Sequence, residues 1–138
     1  MKSEDRFDSL IRFYAEKCGR DPRQVKRQIR QESNFDHCAV SGAGAQGLMQ
    51  FMMPTWKEFG GGDPTDALRS IQRGCLYMER LEKRYGSLAH ALAAYNWGMG
   101  HLDRLLVVHE EEWQLHLPVE TRAYVKACMN YEGEILTC

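Results

Sequence analysis

The chain has 138 residues, of which 43% are hydrophobic and 27% charged, and its formal net charge is -1 at pH 7. That length is typical of one domain, so we expect a single domain over residues 1–138. Without a net positive charge the chain lacks the attraction that phosphate backbones reward, and we expect no nucleic-acid partner. No apolar stretch approaches the roughly 20 residues that span a bilayer, so we expect no integral membrane segment.

Neither a targeting signal nor a metal-binding pattern is visible in the sequence. Residues 1–6 carry acids where a secretory signal would be basic, and no apolar run follows them, so we expect synthesis in the cytoplasm. The five cysteines are an odd number without a close C-x-x-C pair, which indicates neither a disulfide framework nor a zinc knuckle. His37-Cys38 is the one adjacent His/Cys pair, and no second ligand pair follows it at zinc spacing. We therefore expect no metal and no cofactor.

Helical signals dominate the first third of the chain. An apolar period over 7–14 predicts a helix that ends near Gly19, where a C-cap glycine belongs. Asp21 is a suitable N-cap and is followed by a proline, so a second helix is predicted to about Ser33. Residues 34–50 lack a helical period and are rich in Asn, Ser and Gly, which predicts a loop or short irregular hairpin.

Helical patterns also fill the rest of the chain. Asp63-Pro64 repeats the earlier start signal, and Ser87 caps an alanine-rich helix that the run 96–100 breaks. The predicted helices run over 54–59, 63–85, 87–95, 102–107 and 118–131, with a less regular acidic segment at 110–113. No alternating apolar pattern of convincing length appears, so the predicted fold class is predominantly all-α.

Glu32 is the candidate for proton-transfer chemistry. It stands at the C-terminal end of the second predicted helix and precedes the glycine-bearing loop, where a helix end can face a cleft. The negative end of the helix dipole, and an apolar wall from Met49, Met52 or Tyr95, would favour its protonated form. Taken alone, the same position also fits a solvated surface glutamate.

Four motifs in order raise the significance of this glutamate. They read QESNFD at 31–36, AVS at 39–41 with GAQGLMQFMMP at 44–54, AAYN at 93–96 before Gly98 and Gly100, and LPVETRAYV at 117–125. Together they resemble the lytic transglycosylases whose catalytic domain is similar to goose-type lysozyme. The resemblance covers roughly residues 7–130 and implies a small, lysozyme-like helical domain with the loop or hairpin flanking a cleft.

The resemblance also implies roles for single residues. Glu32 would be the one catalytic acid/base, giving a proton to the leaving oxygen and then, as carboxylate, taking one back. The positions implied in substrate binding are Ser41, Gln50, Met52, Tyr95, Asn96, Glu120 and Tyr124. Among them, the Ser41 hydroxyl would bond to N-acetylmuramic acid and the Tyr95 hydroxyl would orient the glutamate.

Each of these positions has a plainer interpretation. Met52 and Tyr95 could be core residues, as could Met49. Ser41 could only form a turn and Asn96 only cap a helix, while Glu120 could be an acid favoured by the helix dipole. Asp36 would be the natural second carboxylate, but we interpret it as a turn former because it lies in a polar loop.

Trp97 and Met99 depart from the family pattern, which has small residues and proline between these glycines. Trp97 could add a stacking surface for a sugar ring or merely change the loop.

The number of carboxylates bears on the reaction. Hydrolysis normally needs a second carboxylate, whereas one glutamate suffices when the sugar's own hydroxyl is the nucleophile. The resemblance therefore implies lytic cleavage of the β-1,4 bond between N-acetylmuramic acid and N-acetylglucosamine, leaving a 1,6-anhydro end. The alternatives are a goose-type lysozyme hydrolase that releases reducing ends, and a glycan-binding module without catalysis.

A run of basic residues could also indicate a helical nucleic-acid binder. We interpret this run as a solvated helix face instead; it consists of Arg20, Arg23, Lys26, Arg27 and Arg30.

The expected partner is the glycan strand of peptidoglycan, bound by a monomer. A small lytic domain without a visible export signal suits a phage endolysin, or a component of a virion or secretion machine. Such a bacteriolytic enzyme would be made in the cytoplasm and act on the cell wall.

Overall fold

The computed structural model describes residues 3–129, and their regular structure is helical. Over that range the α-helices are α1 Asp8–Lys17, α2 Pro22–Ser33, α3 Met53–Glu58, α4 Ala67–Tyr85, α5 Leu88–Trp97, α6 Met99–Val108 and α7 Val119–Met129. Short 3-10 turns occupy Ser3–Asp5 and Trp113–His116. The predicted all-α fold class is therefore confirmed.

The segment after α2 is the irregular loop that the sequence predicts. Its only β-pairing within the described residues consists of two isolated antiparallel bridges, from Val40 to Gln46 and from Gln46 to Phe51. Because both bridges share Gln46, the chain folds back twice over a short distance. We call residues 34–52 the candidate loop.

Two predicted helix starts are confirmed by their capping bonds. The Asp21 carboxylate accepts a hydrogen bond from the Arg23 backbone N–H at 2.9 Å, at the start of α2. The Ser87 hydroxyl accepts one from the His90 backbone N–H at 3.3 Å, at the start of α5. In both helices a short polar side chain satisfies an N–H that has no partner within the helix.

The predicted start of the long helix at Asp63-Pro64 is wrong. The Asp63 carboxylate instead accepts hydrogen bonds from the Thr65 backbone N–H at 2.9 Å and the Thr65 hydroxyl at 2.7 Å, which forms a local turn. α4 begins only at Ala67, after Asp66 accepts a bond from the Arg69 backbone N–H at 3.2 Å. The helix is thus capped by the second aspartate rather than the first.

The predicted break over 96–100 is also too wide. α5 continues to Trp97, the chain turns at Gly98 with a φ of 102°, and α6 begins at Met99. Asn96 is therefore in the last turn of α5, and its interpretation as a helix cap is wrong. At the other end of the chain, the predicted last helix is confirmed as α7, although Tyr131 lies outside the described residues.

The chain divides into two compact units, and the boundary lies between Tyr77 and Met78 within α4. In the first unit α1 packs against α2. In the second unit α5 packs against both α6 and α7, and the run Ala91–Ala94 of α5 is fully buried. The small alanine side chains allow this close packing. A single domain over 1–138 stays a prediction. Among the described residues no helix combines the length and the apolarity needed to cross a bilayer.

Candidate active site

Glu32 lies in the last turn of α2 and is half-buried. Val25, Gln28 and Ile29 form the buried face of this helix, and Glu32 follows Gln28 by four residues and Ile29 by three. Residues at these spacings share one side of a helix, so Glu32 continues the buried face to the helix end. The backbone dipole of a helix places partial negative charge at its C-terminus, and Glu32 lies within that last turn.

Gln28 is a buried polar residue that the sequence analysis did not single out. Its side chain is 0% exposed, and neither amide atom has a hydrogen-bond partner within the described residues. The signal that could have identified its burial is its spacing to Val25 and Ile29, which places it on the apolar face.

The chain leaves α2 through two consecutive left-handed residues. Asn34 has a φ of 51° and Phe35 a φ of 65°, and Gln50 near the other end of the candidate loop has a φ of 50°. These three are the non-glycine residues with positive φ in the described chain. Such conformations cost about 1–3 kcal/mol each and persist only where the surroundings impose them. Strained backbone therefore brackets the loop that follows Glu32.

Ser41 forms a tight turn within the candidate loop. Its backbone N–H donates to the Ala45 carbonyl at 2.9 Å, and its hydroxyl oxygen accepts from the Ala45 backbone N–H at 3.0 Å. Ser41 therefore does form a turn, and its role in substrate binding stays a prediction. The side chain is exposed, and a hydroxyl that accepts one bond can still donate its proton. Ser41 thus keeps a donor for a ligand.

Gln50 uses its amide NH₂ group to hold the candidate loop together. The nitrogen donates to the Ala39 carbonyl at 3.1 Å and to the Gly47 carbonyl at 2.9 Å. Both amide protons are then engaged, so the group that Gln50 can offer to a sugar hydroxyl is its amide oxygen.

Met49 and Met52 have opposite surroundings although they are three residues apart. Met49 is 1% exposed, and its backbone N–H donates to the hydroxyl of buried Ser70 at 3.1 Å. Met52 is 46% exposed and stands at the N-cap position of α3. The core interpretation is therefore confirmed for Met49 and wrong for Met52, whose thioether is accessible to a ligand.

Gly47 fixes the loop against the segment that precedes α4. Its φ is 84°, and a Cβ atom at this position would lie 2.2 Å from the Pro64 carbonyl oxygen. No side chain fits at that distance, so the close approach of the two backbones requires glycine. Ser70 and Pro64 shape the loop, yet no local pattern marks them because their partners are distant in sequence.

In the second unit, Asn96 links α5 to α7. Its side-chain oxygen accepts a hydrogen bond from the hydroxyl of Thr121 at 2.9 Å, and Thr121 is buried. Tyr95 precedes Asn96 and is half-buried, and Glu120 is exposed in the first turn of α7. The unit thus brings the end of α5, with Tyr95 and Asn96, to the start of α7, with Glu120. Thr121 was missed because a threonine on a helix carries no sign of a partner 25 residues away.

Tyr124 is buried one turn after Glu120, with 6% of its surface exposed. Its burial favours a packing role over direct contact with a substrate.

Asp36 forms a turn at the start of the candidate loop. Its carboxylate accepts a hydrogen bond from the Cys38 backbone N–H at 2.9 Å, so its interpretation as a turn former is confirmed. In the part of the chain that the structure describes, no three His, Cys, Asp or Glu side chains are grouped so that they could hold a metal ion.

The basic side of α2 is paired with acids rather than only solvated. Lys26 contacts Asp5 at 2.7 Å and Asp8 at 3.0 Å, and Arg30 contacts Glu4 at 3.2 Å. Burial alone would lower the pKa of Lys26, but the hydrogen bonds to the two aspartates outweigh it and raise the pKa. These charges therefore hold the N-terminal segment against α2.

Comparison with known proteins places these features in a family. Residues 9–111 match the family model described as the transglycosylase SLT domain, which is most of the chain. The chain belongs to this family.

Particular relatives can then be named. The membrane-bound lytic murein transglycosylase F of Desulfosudis oleivorans is 38% identical over 104 residues, which are 70% of this chain and 23% of the relative. The same enzyme of Alcanivorax borkumensis is 33% identical over 77% of this chain and 24% of its own length. The chain therefore spans about a quarter of the curated relatives it matches.

Solved structures agree with this assignment. An inactive Glu→Gln mutant of the lytic transglycosylase Slt from Pseudomonas aeruginosa superposes with a TM-score of 0.80 at 26% identity, over 96% of this chain and 25% of that one. The 70 kDa soluble lytic transglycosylase of Escherichia coli superposes with a TM-score of 0.78 at 27% identity, over 91% of this chain and 23% of that one. The lysozyme-like helical fold implied by the motifs is confirmed.

Proposed function

We propose that this chain is the catalytic domain of a peptidoglycan lytic transglycosylase, with Glu32 as its single acid/base. The observation that carries the proposal is a half-buried glutamate at the end of a buried helix face, within a domain of the transglycosylase SLT family. The substrate is the glycan strand, cut at the β-1,4 bond between N-acetylmuramic acid and N-acetylglucosamine.

The reaction needs one proton to be given and one to be taken. Protonated Glu32 donates to the bridging oxygen, and the bond from that oxygen to C1 of N-acetylmuramic acid breaks. The C6 hydroxyl of the same sugar then attacks C1 and loses its proton to the Glu32 carboxylate. The product is a 1,6-anhydro end, no water is consumed, and Glu32 is protonated again. The intramolecular attack has a proximity advantage over attack by free water.

The candidate loop holds one carboxylate, that of Asp36, and its engagement in a turn supports the lytic route. Asp36, the nearest acid in sequence after Glu32 within the described loop, already accepts a backbone hydrogen bond in a turn and is exposed. Hydrolytic mechanisms use a second carboxylate as base or nucleophile.

The other residues are proposed to bind the glycan. We assign a hydroxyl donor to Ser41, an amide acceptor to Gln50 and an accessible thioether to Met52, in accordance with the groups that each leaves available. Tyr95 and Asn96, at the end of α5, are proposed to bind the glycan from the second unit. Glu120 completes the proposed set from α7, and buried Tyr124 is proposed to support that helix by packing.

The first test is the substitution Glu32→Gln, assayed on purified sacculi. Loss of a general acid and base is expected to lower the rate by about 10² to 10⁴ for each role, with glycan binding kept. Glu16→Gln is a matched control, because Glu16 is also the penultimate residue of a helix in the same unit but is exposed. Equal activity of the Glu32 variant and the control would overturn the assignment.

The second test is the identity of the products. Mass spectrometry of the released muropeptides should show anhydro ends. Reducing ends alone would favour a goose-type hydrolase, and binding without any cleavage would favour a glycan-binding module.

We also propose that the chain acts on the cell wall as a monomeric, bacteriolytic enzyme of the endolysin kind. A fall in turbidity of outer-membrane-permeabilised cells after external addition, and a monomeric mass by light scattering, are the expected results. If the cells in that assay stay intact, the endolysin role is contradicted, but the proposed reaction of the domain is not.

A further inference from the structure

Two aromatic rings stack across the turn that joins α5 to α6. The Trp97 and His101 ring centroids are 5.0 Å apart, and the ring planes differ by 14°. Trp97 is the last residue of α5, and His101 lies in the first turn of α6. Gly98 between them has a φ of 102°, which a side chain rarely adopts, so the turn that aligns the rings depends on glycine. We call these two residues the aromatic pair.

The aromatic pair differs from a second Trp–His stack in the same unit. His90 and Trp113 have centroids 3.9 Å apart, with His90 half-buried and Trp113 6% exposed, so the indole of that stack belongs to the packed interior. Trp97 is half-buried and His101 is exposed. The interior stack stabilises the fold by burial, whereas the aromatic pair keeps ring surface available to a ligand.

A hydrogen bond fixes the chemistry at the edge of the aromatic pair. An Arg104 guanidinium nitrogen lies 3.2 Å from Nδ1 of His101. A guanidinium can only donate, so Nδ1 must accept, and the proton of the neutral imidazole is then on Nε2. The pair therefore combines a flat apolar surface with one N–H donor at its rim.

We propose that the aromatic pair is a sugar-stacking site that binds an N-acetylhexosamine ring of the glycan strand. A pyranose has an apolar face of C–H groups surrounded by hydroxyl and acetamido groups, which complements an apolar ring surface with a donor at its edge. The pair follows directly after Tyr95 and Asn96, and the bond from Asn96 to Thr121 holds this end of α5 in place. This inference rests on the proposed function, because the ligand is the substrate of that reaction.

The experiment measures binding of peptide-free glycan strands to the Glu32→Gln protein by calorimetry, so that no cleavage occurs. When Trp97→Ala is introduced into the Glu32→Gln protein, the Kd should rise about three- to tenfold, the range that corresponds to the loss of aromatic stacking. Trp97→Leu keeps apolar bulk without a ring and should weaken binding similarly, whereas Trp97→Phe should stay within about twofold of the parent. A merely structural role would predict that Leu and Phe restore binding equally.

Trp113→Phe is the matched control for this series. It alters the interior Trp–His stack and should lower the melting temperature without changing the Kd. If the parent binds glycan and Trp97→Ala binds it equally well, the inference is overturned while the proposed function stands. If the parent fails to bind glycan strands and the wild type releases no anhydro ends, both are overturned.

Discussion

The candidate loop and the α5–α6 corner, residues 95–101, both carry predicted site residues, but different interactions hold them. In the candidate loop, left-handed residues and a glycine without room for a side chain set the path of the backbone. At the corner, regular helices run up to one glycine, and a side-chain hydrogen bond connects α5 to α7.

This difference has a consequence for substitutions. A backbone path that depends on steric fit fails when one atom is added, because close-packed neighbours cannot move away. A helix end held by one side-chain hydrogen bond loses only the roughly 0.5–1.5 kcal/mol that such a bond contributes. The loop should therefore be the more fragile of the two regions.

The largest expected effect is that of Gly47→Ala. The added Cβ would lie 2.2 Å from the Pro64 carbonyl oxygen, and the φ of 84° is itself unfavourable for alanine. We expect a loss of at least about 3 kcal/mol in the free energy of unfolding, measured by urea denaturation.

Gly44→Ala separates the two causes in that prediction. Gly44 has a φ of 93° but nothing within 4 Å of an added Cβ, so it carries the backbone strain without the clash. Its expected cost is about 1 kcal/mol. Equal losses for the two variants would show that the contact with Pro64 does not constrain the loop.

A smaller effect is expected from the bond between Asn96 and Thr121. In a double-mutant cycle of Asn96→Ala and Thr121→Val, we expect a coupling of about 1 kcal/mol in unfolding free energy. Thr121→Ser keeps the hydroxyl and should preserve the coupling. Additive effects of the two substitutions would mean that the corner is held by packing alone.

Local signals predicted the parts of the fold in which neighbours in sequence are also partners. Asp21 and Ser87 cap helices through N–H groups two and three residues ahead, and Asp36 forms a turn in the same way. Asp63 failed as a helix start although its local pattern was the same: its carboxylate accepts from the residue two ahead, as that of Asp21 does, yet the helix begins only at Ala67. The local sequence pattern does not show which of the two aspartates, Asp63 or Asp66, caps the helix.

The supports of the site could not be predicted from local patterns. Ser70 binds the backbone of Met49 from 21 residues away, and Thr121 binds Asn96 from 25 residues away. Likewise, the opposite burial of Met49 and Met52 follows from the path of the loop and not from residue type. The motifs identify which residues to consider, whereas tertiary packing decides which atoms they leave available to a ligand.

The smallest expected effect is on the pH dependence of stability and concerns His90, which lies on α5 before the α5–α6 corner. Burial lowers the pKa of His90 from its usual 6.5, and its buried Nδ1 has no hydrogen-bond partner within the described residues. The unfolded chain therefore binds a proton at a higher pH than the folded chain does. The stability contributed by neutral His90 is complete above pH 6.5 and is lost as the pH falls through the lowered pKa.

His90→Phe should flatten this pH dependence while keeping a ring against Trp113. The measurement is the urea midpoint of wild type and variant as a function of pH from 6.5 downwards. An unchanged slope in the His90 variant would assign the acid sensitivity to other groups. A flattened slope would show that the interior Trp–His stack limits the stability of the second unit in acid.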